Sequence, residues 1–465
     1  MRFSELEGAN VGVWGAGREI ASFAQQLARR LPSAQIAVAV FDDSPPHDVR
    51  NTLHAPHVRV VDGANAVSAL AHCDVLVRSP GVSIHRPQLQ ALLQANVPVT
   101  TATSLWLAER GPERVIGVTG TKGKSTTAAL IAHVARAAGL TTQLAGNIGV
   151  PALDLLDQPP AQLTVVELSS FHIADLQTGP QLALITNLFR EHADWHGSED
   201  AYRAEKLRIL GLPGVRVAVV GAREERIARA HPNIDVRCFG MSDGWQPTAH
   251  GISLRGQPVL ARAELPLHGE HNALNLCAAL TALEVMDVPL AALAPGSGPG
   301  GQREPAPALA LALSDFRALA HRLETVCVRD GITWIDDSIS TTPESALAAL
   351  ASFPGRHVVL IGGGLDRGQD YAELARALAA RHATVIGVPS TGSRLVADAR
   401  QAGVSSHNAI EATDLAAAVE SARGLAQTHT VVLLSPAAPS YDHYRDFQQR
   451  GEIFRALAAS PDSVS

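Results

Sequence analysis

The feature that most constrains this chain is a glycine-rich segment, GVTGTKGKSTT, at residues 117–127. The β-branched pair Val115-Ile116 precedes it and predicts a buried strand, and the run AALIAHVA at residues 128–135 predicts a helix. A glycine-rich turn between a strand and a helix presents backbone N–H groups and a helix N-terminus at one point. The segment therefore predicts a phosphate-binding loop in a domain that alternates strands and helices.

The side chains of this loop favour nucleotide binding over an ordinary structural turn. Lys124 can reach the β- and γ-phosphates of a nucleotide, and the hydroxyl of Ser125 or Thr126 can ligate Mg²⁺. The strict P-loop pattern has glycine six residues before the lysine, where this chain has Val118, so the loop is a shortened variant. The candidate nucleotide-binding residues are Gly120, Thr121, Lys122, Gly123, Lys124, Ser125 and Thr126.

Composition excludes several classes of protein. The 465 residues suggest two to four domains, and the net charge of −7 argues against a nucleic-acid surface as the main function. There is no N-terminal signal pattern and no apolar run of membrane-spanning length, so we expect a cytoplasmic enzyme without a membrane partner. The four cysteines lack metal spacing and predict reduced thiols. The nineteen histidines likewise lack the spacing of a zinc site.

Strands alternate with helical patterns along the whole chain, which predicts the α/β class with parallel sheets. The first unit has a strand at 11–14, the turn Gly15-Ala16-Gly17 and a helix from Arg18 to about Leu31. This pattern resembles a dinucleotide-binding turn, but Ile20 stands where the third glycine belongs, so a plain tight turn fits equally well.

We expect three domains, at residues 1–110, 111–313 and 314–465. The stretch at 294–307 is rich in proline and glycine and predicts a flexible linker near the second boundary.

Four further segments carry polar residues in positions suited to chemistry. Glu167 ends a predicted buried strand at 163–167, where metal–phosphate chemistry needs a carboxylate, although a cluster that caps a helix gives the same pattern. His192 lies after the next strand, and Lys206 lies on a predicted helix, where either residue alone is more often structural. The fourth segment, HGEHNALN at 268–275, opens an Ala/Leu-rich helix.

Taken together, these motifs resemble the Mur ligases, the ATP-dependent amide ligases of peptidoglycan precursor synthesis. The resemblance lies in the order of GxxGKST, ELSSF, TNxxxxHxD, YxxxK and HNxxN, followed by HRLE, DDS and LSP. It covers nearly the whole chain. It implies three domains: an N-terminal Rossmann-like domain for UDP, a central P-loop ATPase domain and a C-terminal Rossmann-like domain. The segments GNIG at 146–149 and SYDHYRDFQQRGE at 440–452 resemble the members that add glutamate to UDP-N-acetylmuramoyl-L-alanine.

The resemblance implies a reaction in which ATP phosphorylates a substrate carboxylate and an amino-acid amine then attacks the acyl phosphate. The catalytic residues would be Lys124, Glu167, His192 and Lys206, acting with two Mg²⁺ ions. Ser125 and Glu167 would hold the first ion. His192 and a carbamylated Lys206 would hold the second.

The remaining site residues follow from the same resemblance. Positions that match ATP contacts of the family are Asn275, Arg322 and Asp337, and positions that match substrate contacts are Asn147 and Ser169. The UDP group would lie at Gly15, Ala16, Gly17 and Ser79, and the glutamate would lie near Arg367, Ser440, Tyr441 and Phe447.

Two departures bear on the amino-acid substrate. Ile339 stands where the D-glutamate-adding enzymes have lysine, and Tyr441 stands where they have leucine. Arg367 is a candidate replacement cation. The patterns WGAGRE at 14–19 and DSISTTP at 337–343 resemble the subfamily that adds L-glutamate, which we therefore expect here. An ordinary D-glutamate-adding enzyme that tolerates Ile339 is the alternative.

Three other classes of protein compete with this interpretation. A nicotinamide-dependent oxidoreductase would use the first unit but leaves Lys124, Glu167 and His192 unexplained. A folate polyglutamate-type ligase would lack the first unit, and a non-catalytic nucleotide switch would not need both metal sites. We expect a monomer that binds UDP-N-acetylmuramoyl-L-alanine, glutamate and ATP.

Overall fold

The computed structural model describes residues 1–15, 17–41, 58–188, 199–267, 269–290, 307–316, 320–366 and 368–460. It divides into two compact units, Met1–Phe316 and Arg317–Ser465. The candidate residues Ala16, His192 and Arg367, and the predicted linker up to residue 306, lie outside the described residues.

The strands of the first unit are short and alternate with helices. They are β1 Asn10–Trp14, β2 Gln35–Phe41, β3 Arg59–Asp62, β4 Val75–Arg78, β5 Val99–Thr100, β6 Val115–Thr119, β7 Thr142–Gly146, β8 Leu163–Glu167, β9 Leu182–Ile185, β10 Val217–Gly221, β11 Asp235–Phe239, β12 Trp245–Thr248, β13 Gly251–Leu254 and β14 Gln257–Ala261.

The helices of the first unit are α1 Arg18–Arg30, α2 Ala66–Leu70, α3 Pro87–Gln94, α4 Ala102–Arg110, α5 Lys124–Ala137, α6 Ser170–Ile173, α7 Glu199–Leu207, α8 Glu225–Ala228, α9 Glu270–Val285 and α10 Pro307–Ser314. Short 3₁₀ helices occur at Phe3–Leu6, Gly63–Asn65, Ala152–Asp157, Arg208–Gly211 and Arg262–Glu264.

The first sheet has the strand order β3-β2-β1-β4-β5 and is parallel throughout. Successive residues of β1 enter two different apolar clusters, because Val13 packs on one face and Trp14 on the other. Both faces are therefore covered, which explains why the strand is a continuous apolar run rather than an alternating one.

The second sheet has the order β11-β10-β9-β6-β8-β7 and is also parallel. Val118 of β6 pairs with Glu167 of β8, and Thr119 pairs with Ile185 of β9. The carboxyl ends of these three central strands therefore lie at one edge of the sheet, where ligands bind in such folds.

A third sheet of three antiparallel strands, β12-β13-β14, has no counterpart in the sequence prediction. Its strands are short and carry Pro247 and Pro258, which weaken the usual strand pattern.

The second unit contains the strands β15 Glu324–Arg329, β16 Ile332–Asp336, β17 Val358–Gly362, β18 Thr384–Gly387, β19 Ala409–Glu411 and β20 Val431–Leu434. Its helices are α11 Pro343–Ala351, α12 Ala372–Ala380, α13 Gly392–Gln401, α14 Leu415–Leu425 and α15 Phe447–Ala459. The sheet order is β15-β16-β20-β17-β18-β19, with an antiparallel hairpin at one edge and parallel pairing elsewhere.

These sheets confirm the predicted α/β class and the parallel pairing, while the domain boundaries at 110 and 313 stay predictions. In the described part of the chain, no helix has both the length and the apolar character needed to cross a membrane. The four cysteines are unpaired, and Cys73 and Cys277 are buried.

Candidate active site

The phosphate loop connects β6 to α5 and needs glycine at two positions. Gly120 and Gly123 have φ values of 140° and 80°, which favour glycine. A Cβ atom at Gly120 would collide with the hydroxyl of Thr186, and one at Gly123 would collide with Oδ1 of Asn275. Asn275, on α9, therefore lies directly against the loop.

Thr186 and Asn187, immediately after β9, hold the loop in shape. The Thr186 hydroxyl and the Asn187 side-chain amide both donate to the carbonyl of Lys122, at 2.6 and 3.0 Å. In return, Lys122 N–H donates to Asn187 Oδ1 and Thr121 N–H donates to the Asn187 carbonyl, both at 2.8 Å. The backbone amides of Thr121 and Lys122 are thus committed to the scaffold.

The first turn of α5 supplies the N–H groups that a phosphate needs, because the first N–H groups of a helix lack intrahelical acceptors. Lys124, Ser125 and Thr126 form this turn. Ser125 is buried, and Lys124 Nζ donates to the Thr121 carbonyl at 2.9 Å. The side chains expected to hold phosphate and a cation therefore start from one helical turn.

Glu167 ends β8 and is completely buried. Its Oε1 accepts a hydrogen bond from Asn147 Nδ2 at 3.3 Å, while its Oε2 is buried without a hydrogen-bond partner among the described residues. An orphaned carboxylate oxygen is costly in a protein interior. A hard divalent cation would satisfy it, so the residues fit the metal that the sequence implies.

The loop after β7 connects Glu167 to the first sheet. Asn147 N–H donates to the Glu167 carbonyl at 3.1 Å, and the Asn147 carbonyl accepts from Arg18 Nη2 at 3.0 Å. Arg18 Nη1 also donates to the Gly149 carbonyl at 3.4 Å. Arg18, at the start of α1, therefore positions the predicted substrate residue Asn147.

Three of the predicted UDP residues, Gly15, Gly17 and Ser79, lie close together. Gly15 has a φ of 105°, and a Cβ atom there would meet the side chain of Ser79 at 2.6 Å. Gly17 caps the start of α1 and approaches the same serine hydroxyl, because its Cβ would lie 3.1 Å from Ser79 Oγ. Ile20, at the position of the missing third glycine, is fully buried in the core.

Lys206 lies near the end of α7 and is only 2 % exposed. The chain contains three lysines, Lys122, Lys124 and Lys206, although it has 38 lysines and arginines in all. Arginine thus supplies nearly every other cation of the chain, and the lysines occur only at candidate site positions. Arginine cannot replace an amine that acts as a point charge or is modified covalently.

Sequence reasoning missed the buried cation Arg78, which ends β4 next to Ser79. Its Nη2 lies 2.5 Å from Asp175 Oδ2 and donates to the Phe171 carbonyl at 3.3 Å. Burial lowers the pKa of Arg78 and raises the pKa of Asp175, because the protein interior disfavours the charged form of each group. A single arginine after a strand gives no sequence signal for this role.

In the second unit, Asp337 follows β16 and is buried. Its Oδ1 accepts from Leu323 N–H at 3.1 Å, and its Oδ2 accepts from the Ser435 hydroxyl at 2.8 Å. Burial raises the pKa of Asp337 to about 6, against the opposing hydrogen bonds from Ser340 and Ser435 and the charge of Arg322. The HRLE, DDS and LSP motifs therefore meet around one carboxyl group.

Three of the predicted glutamate residues are described: Ser440 and Tyr441 lie in the loop that follows β20, and Phe447 begins α15. Ser440 is 1 % exposed, whereas Tyr441 beside it is 59 % exposed. The carbonyl of Phe447, at the start of α15, accepts a hydrogen bond from the Ser338 hydroxyl at 2.8 Å.

Arg450 was also missed by the sequence analysis. It is buried and donates to the Ser338 hydroxyl at 2.9 Å and to the Ala438 carbonyl at 3.2 Å. Burial lowers its pKa to about 10. Arg450 therefore joins the loop that follows β16 to the loop that follows β20.

The chain is similar to known proteins over nearly its whole length. Residues 118–283 match the model of the Mur ligase middle domain, residues 321–438 match the Mur ligase glutamate ligase domain, and residues 9–101 match the Mur ligase MurD-like N-terminal domain. A protein of Salinispora tropica is 41 % identical over 98 % of both chains. One of Xanthomonas euvesicatoria is 39 % identical over 100 % of this chain and 98 % of its own.

Both relatives are named UDP-N-acetylmuramoyl-L-alanine–L-glutamate ligase. Among solved structures, the UDP-N-acetylmuramate–alanine ligase of Thermotoga maritima has a TM-score of 0.55 at 17 % identity, covering 97 % of this chain and 100 % of its own, which shows the shared fold.

The chain belongs to the Mur ligase family, whose members are ATP-dependent ligases that form amide bonds. Membership implies the use of ATP and a divalent metal. It also confirms the three-domain architecture that the motifs predicted.

Replacing Lys124 with alanine is expected to abolish ATP-dependent phosphate release while the fold is retained, because the predicted role of this lysine is to balance charge on the transferring phosphoryl group. Phosphate release and circular dichroism measure the two effects. Arg136→Ala, which removes an exposed cation from the same helix, is the matched control and should stay active. Activity of Lys124→Ala near that of the control would contradict this role.

Asp337→Asn is expected to change how the stability of the C-terminal unit depends on pH. The folded-state pKa of about 6 lies above the ordinary value of 3.8, so the folded state binds the proton more tightly. Binding of this proton adds about 3 kcal/mol to the free energy of unfolding. This contribution is fully present below about pH 4 and is lost as pH rises through about 6. Hydrogen exchange of Val431–Leu434 in both proteins, corrected for intrinsic rates, measures the difference. If the stability of the two proteins depends on pH in the same way, the prediction is wrong.

Proposed function

We propose that this protein joins L-glutamate to UDP-N-acetylmuramoyl-L-alanine in the cytoplasm, at the expense of ATP, through an acyl-phosphate intermediate. One observation carries the proposal: the phosphate loop and the buried Glu167 lie at the same edge of the second sheet. One oxygen of the Glu167 carboxylate has no hydrogen-bond partner among the described residues. The names of relatives at 37–41 % identity support the choice of substrates.

The ATP would bind with its phosphates at the N-terminus of α5. The hydroxyl of Ser125 and the carboxylate of Glu167 would hold one Mg²⁺, which lowers the electrostatic cost of phosphoryl transfer. Lys124 would pair with the transferring phosphoryl group, and Asn275 would contact the nucleotide from α9. Gly120, Thr121, Lys122, Gly123 and Thr126 would form the rest of the cradle, and Arg322 and Asp337 would contact ATP from the C-terminal unit.

A second Mg²⁺ would be held by His192 and a carbamylated Lys206. Burial disfavours an ammonium charge, and carbon dioxide reacts with the neutral amine to form an N–C bond with loss of a proton. The product is a carbamate whose single negative charge is shared by two oxygens, which suit a hard cation better than an amine does. The near-complete burial of Lys206 and the rarity of lysine in the chain support this proposal.

The nucleotide substrate would bind to the first sheet and extend toward the phosphate loop. Its UDP group would contact Gly15, Ala16, Gly17 and Ser79, and the close approach of Gly15 and Gly17 to the serine side chain supports a common site. Asn147 and Ser169 would contact the part of the substrate nearer the reacting carboxylate.

The glutamate would bind near Ser440, Tyr441 and Phe447, with Arg367 as the cation for one of its carboxylates. Ile339 leaves this region without the lysine of the D-glutamate-adding enzymes, which supports the L-enantiomer. We further propose that the protein is a monomer, because its exposed large apolar side chains are spread over different elements of the described chain. Sedimentation velocity tests this point.

The proposal as a whole is tested by phosphate release from ATP in the presence of UDP-N-acetylmuramoyl-L-alanine and glutamate. Release should require both substrates. Release with the nucleotide substrate replaced by a folate, or no release with any combination, would contradict the proposed function.

Lys206→Ala and Lys206→Arg are expected to be nearly inactive, because neither side chain can carry a carbamate. Acetate should partly rescue the alanine variant by filling the vacated volume with a carboxylate. Growth with ¹³C-labelled bicarbonate should give one carbamate carbon resonance that both variants lack.

Arg203→Ala is the matched control, since it removes an exposed cation from the same helix as Lys206. It should keep both the activity and the carbamate signal. Full activity of Lys206→Ala would show that this lysine has no catalytic role.

L-Glutamate is expected to be the better substrate by roughly a hundredfold or more in kcat/KM, because an unpaired buried carboxylate costs several kcal/mol. The two carboxylates cannot exchange places between enantiomers without moving the attacking amine. Coupled phosphate release with each enantiomer measures the ratio. A higher kcat/KM for D-glutamate would overturn the L-specific assignment and leave the ligase class intact.

A further inference from the structure

A chain of hydrogen-bonded side chains connects the second sheet to the first at the predicted substrate residue Ser169. The Ser169 hydroxyl lies 2.6 Å from His172 Nδ1, and His172 Nε2 lies 2.7 Å from Glu19 Oε1. The Thr103 hydroxyl donates to the same Glu19 oxygen at 2.7 Å. His172, Glu19 and Thr103 are buried, and Ser169 is half-buried.

The backbone decides which ring nitrogen of His172 carries the proton. The N–H of Ser169 donates to His172 Nδ1 at 3.3 Å, and a backbone N–H can only donate. Nδ1 is therefore the acceptor nitrogen, and Nε2 carries the proton that it donates to Glu19.

This tautomer also decides the direction of the Ser169 hydroxyl. Because Nδ1 accepts, the hydroxyl proton points to His172. The serine oxygen accepts the N–H of His172 at 3.3 Å, as the cap of α6. A hydroxyl has one proton and two lone pairs, so a single lone pair remains for a ligand.

Glu19 anchors this chain from helix α1. Burial alone would raise its pKa, but the interaction with the His172 ring and the hydrogen bond from the Thr103 hydroxyl hold that pKa below its ordinary value. Its second oxygen, Oε2, is buried without a hydrogen-bond partner among the described residues. A buried carboxylate is therefore retained here despite an unpaired oxygen, as expected when it orients another group.

We infer that His172 and Glu19 are positioning residues that turn the Ser169 hydroxyl into a pure hydrogen-bond acceptor for the nucleotide substrate. The inference rests on the proposed function, which assigns Ser169 to that substrate. Ser169 then selects a donor group, such as an amide N–H or a sugar hydroxyl, and disfavours a phosphate or carboxylate oxygen.

The tautomer can be read without any substrate. Long-range ¹H–¹⁵N correlation spectra of the ¹⁵N-histidine-labelled protein distinguish the two ring nitrogens, and the His172 signals are those that vanish in His172→Phe. We expect Nε2 protonated and Nδ1 unprotonated, and Glu19→Leu should alter these signals more than Glu19→Gln, which keeps an acceptor oxygen. A protonated Nδ1 in the wild-type protein would overturn the inference.

Kinetics test whether the positioning matters for binding. Ser169→Ala should raise the KM for UDP-N-acetylmuramoyl-L-alanine roughly fivefold to tenfold, as expected for a lost hydrogen bond. His172→Phe and Glu19→Leu should raise the same KM by a similar factor, with a smaller change in kcat and the KM for ATP within about twofold. Glu19→Gln should have a KM for UDP-N-acetylmuramoyl-L-alanine much closer to that of the wild-type protein than Glu19→Leu has.

The double variant Ser169→Ala/His172→Phe separates positioning from a general structural defect. Because His172 acts through Ser169, the double variant should be no worse than Ser169→Ala alone. Multiplicative effects, or an unchanged KM in His172→Phe, would overturn the inference. His357→Phe, which removes a histidine bonded to Thr384 in the C-terminal unit, is the matched control.

Failure of the proposed function gives a different result from failure of this inference. If the wild-type protein releases no phosphate with UDP-N-acetylmuramoyl-L-alanine and either glutamate enantiomer, the proposed substrate is wrong. The spectra still decide whether the hydrogen-bonded chain exists.

Discussion

The pairing of β6 with β8 on one side and β9 on the other is the constraint on which the first unit's site depends. This register brings the phosphate loop, Glu167 and the pair Thr186-Asn187 to one edge of the sheet. Asn187 and Thr186 then form hydrogen bonds with the backbone N–H and carbonyl groups of the loop, and these bonds restrict its movement. Because a one-residue slip would turn Glu167 to the other face, the apolar packing of the central strands also fixes the chemistry of the site.

Much of this arrangement was predictable from sequence because it is local. A β-branched strand, a glycine turn and a helix occur within a few residues, and the predicted strand at 163–167 matches β8. The antiparallel sheet β12-β13-β14 was missed because its strands are short and two contain proline. Arg78, Arg450 and the Glu19–His172 contact were missed because each depends on residues distant in sequence.

Buried arginines hold two loops of the candidate sites in place. Arg78 ties the loop after β4 to the backbone of α6, and in the C-terminal unit Arg450 ties two loops through Ser338. Such groups are expensive to bury, and removing one partner leaves an uncompensated charge. The buried cations at these positions are arginines, whereas the three lysines of the chain all stand at candidate site positions, where the proposed chemistry uses the amine itself.

The central claim is that the phosphate loop directs phosphoryl transfer to a substrate carboxylate before the amide bond forms. The most direct measurement uses UDP-N-acetylmuramoyl-L-alanine labelled with oxygen-18 in its alanyl carboxylate, with ATP and glutamate, and follows the label by mass spectrometry. An acyl-phosphate intermediate transfers one labelled oxygen to each phosphate released. Unlabelled phosphate, formed together with the amide product, would contradict the account.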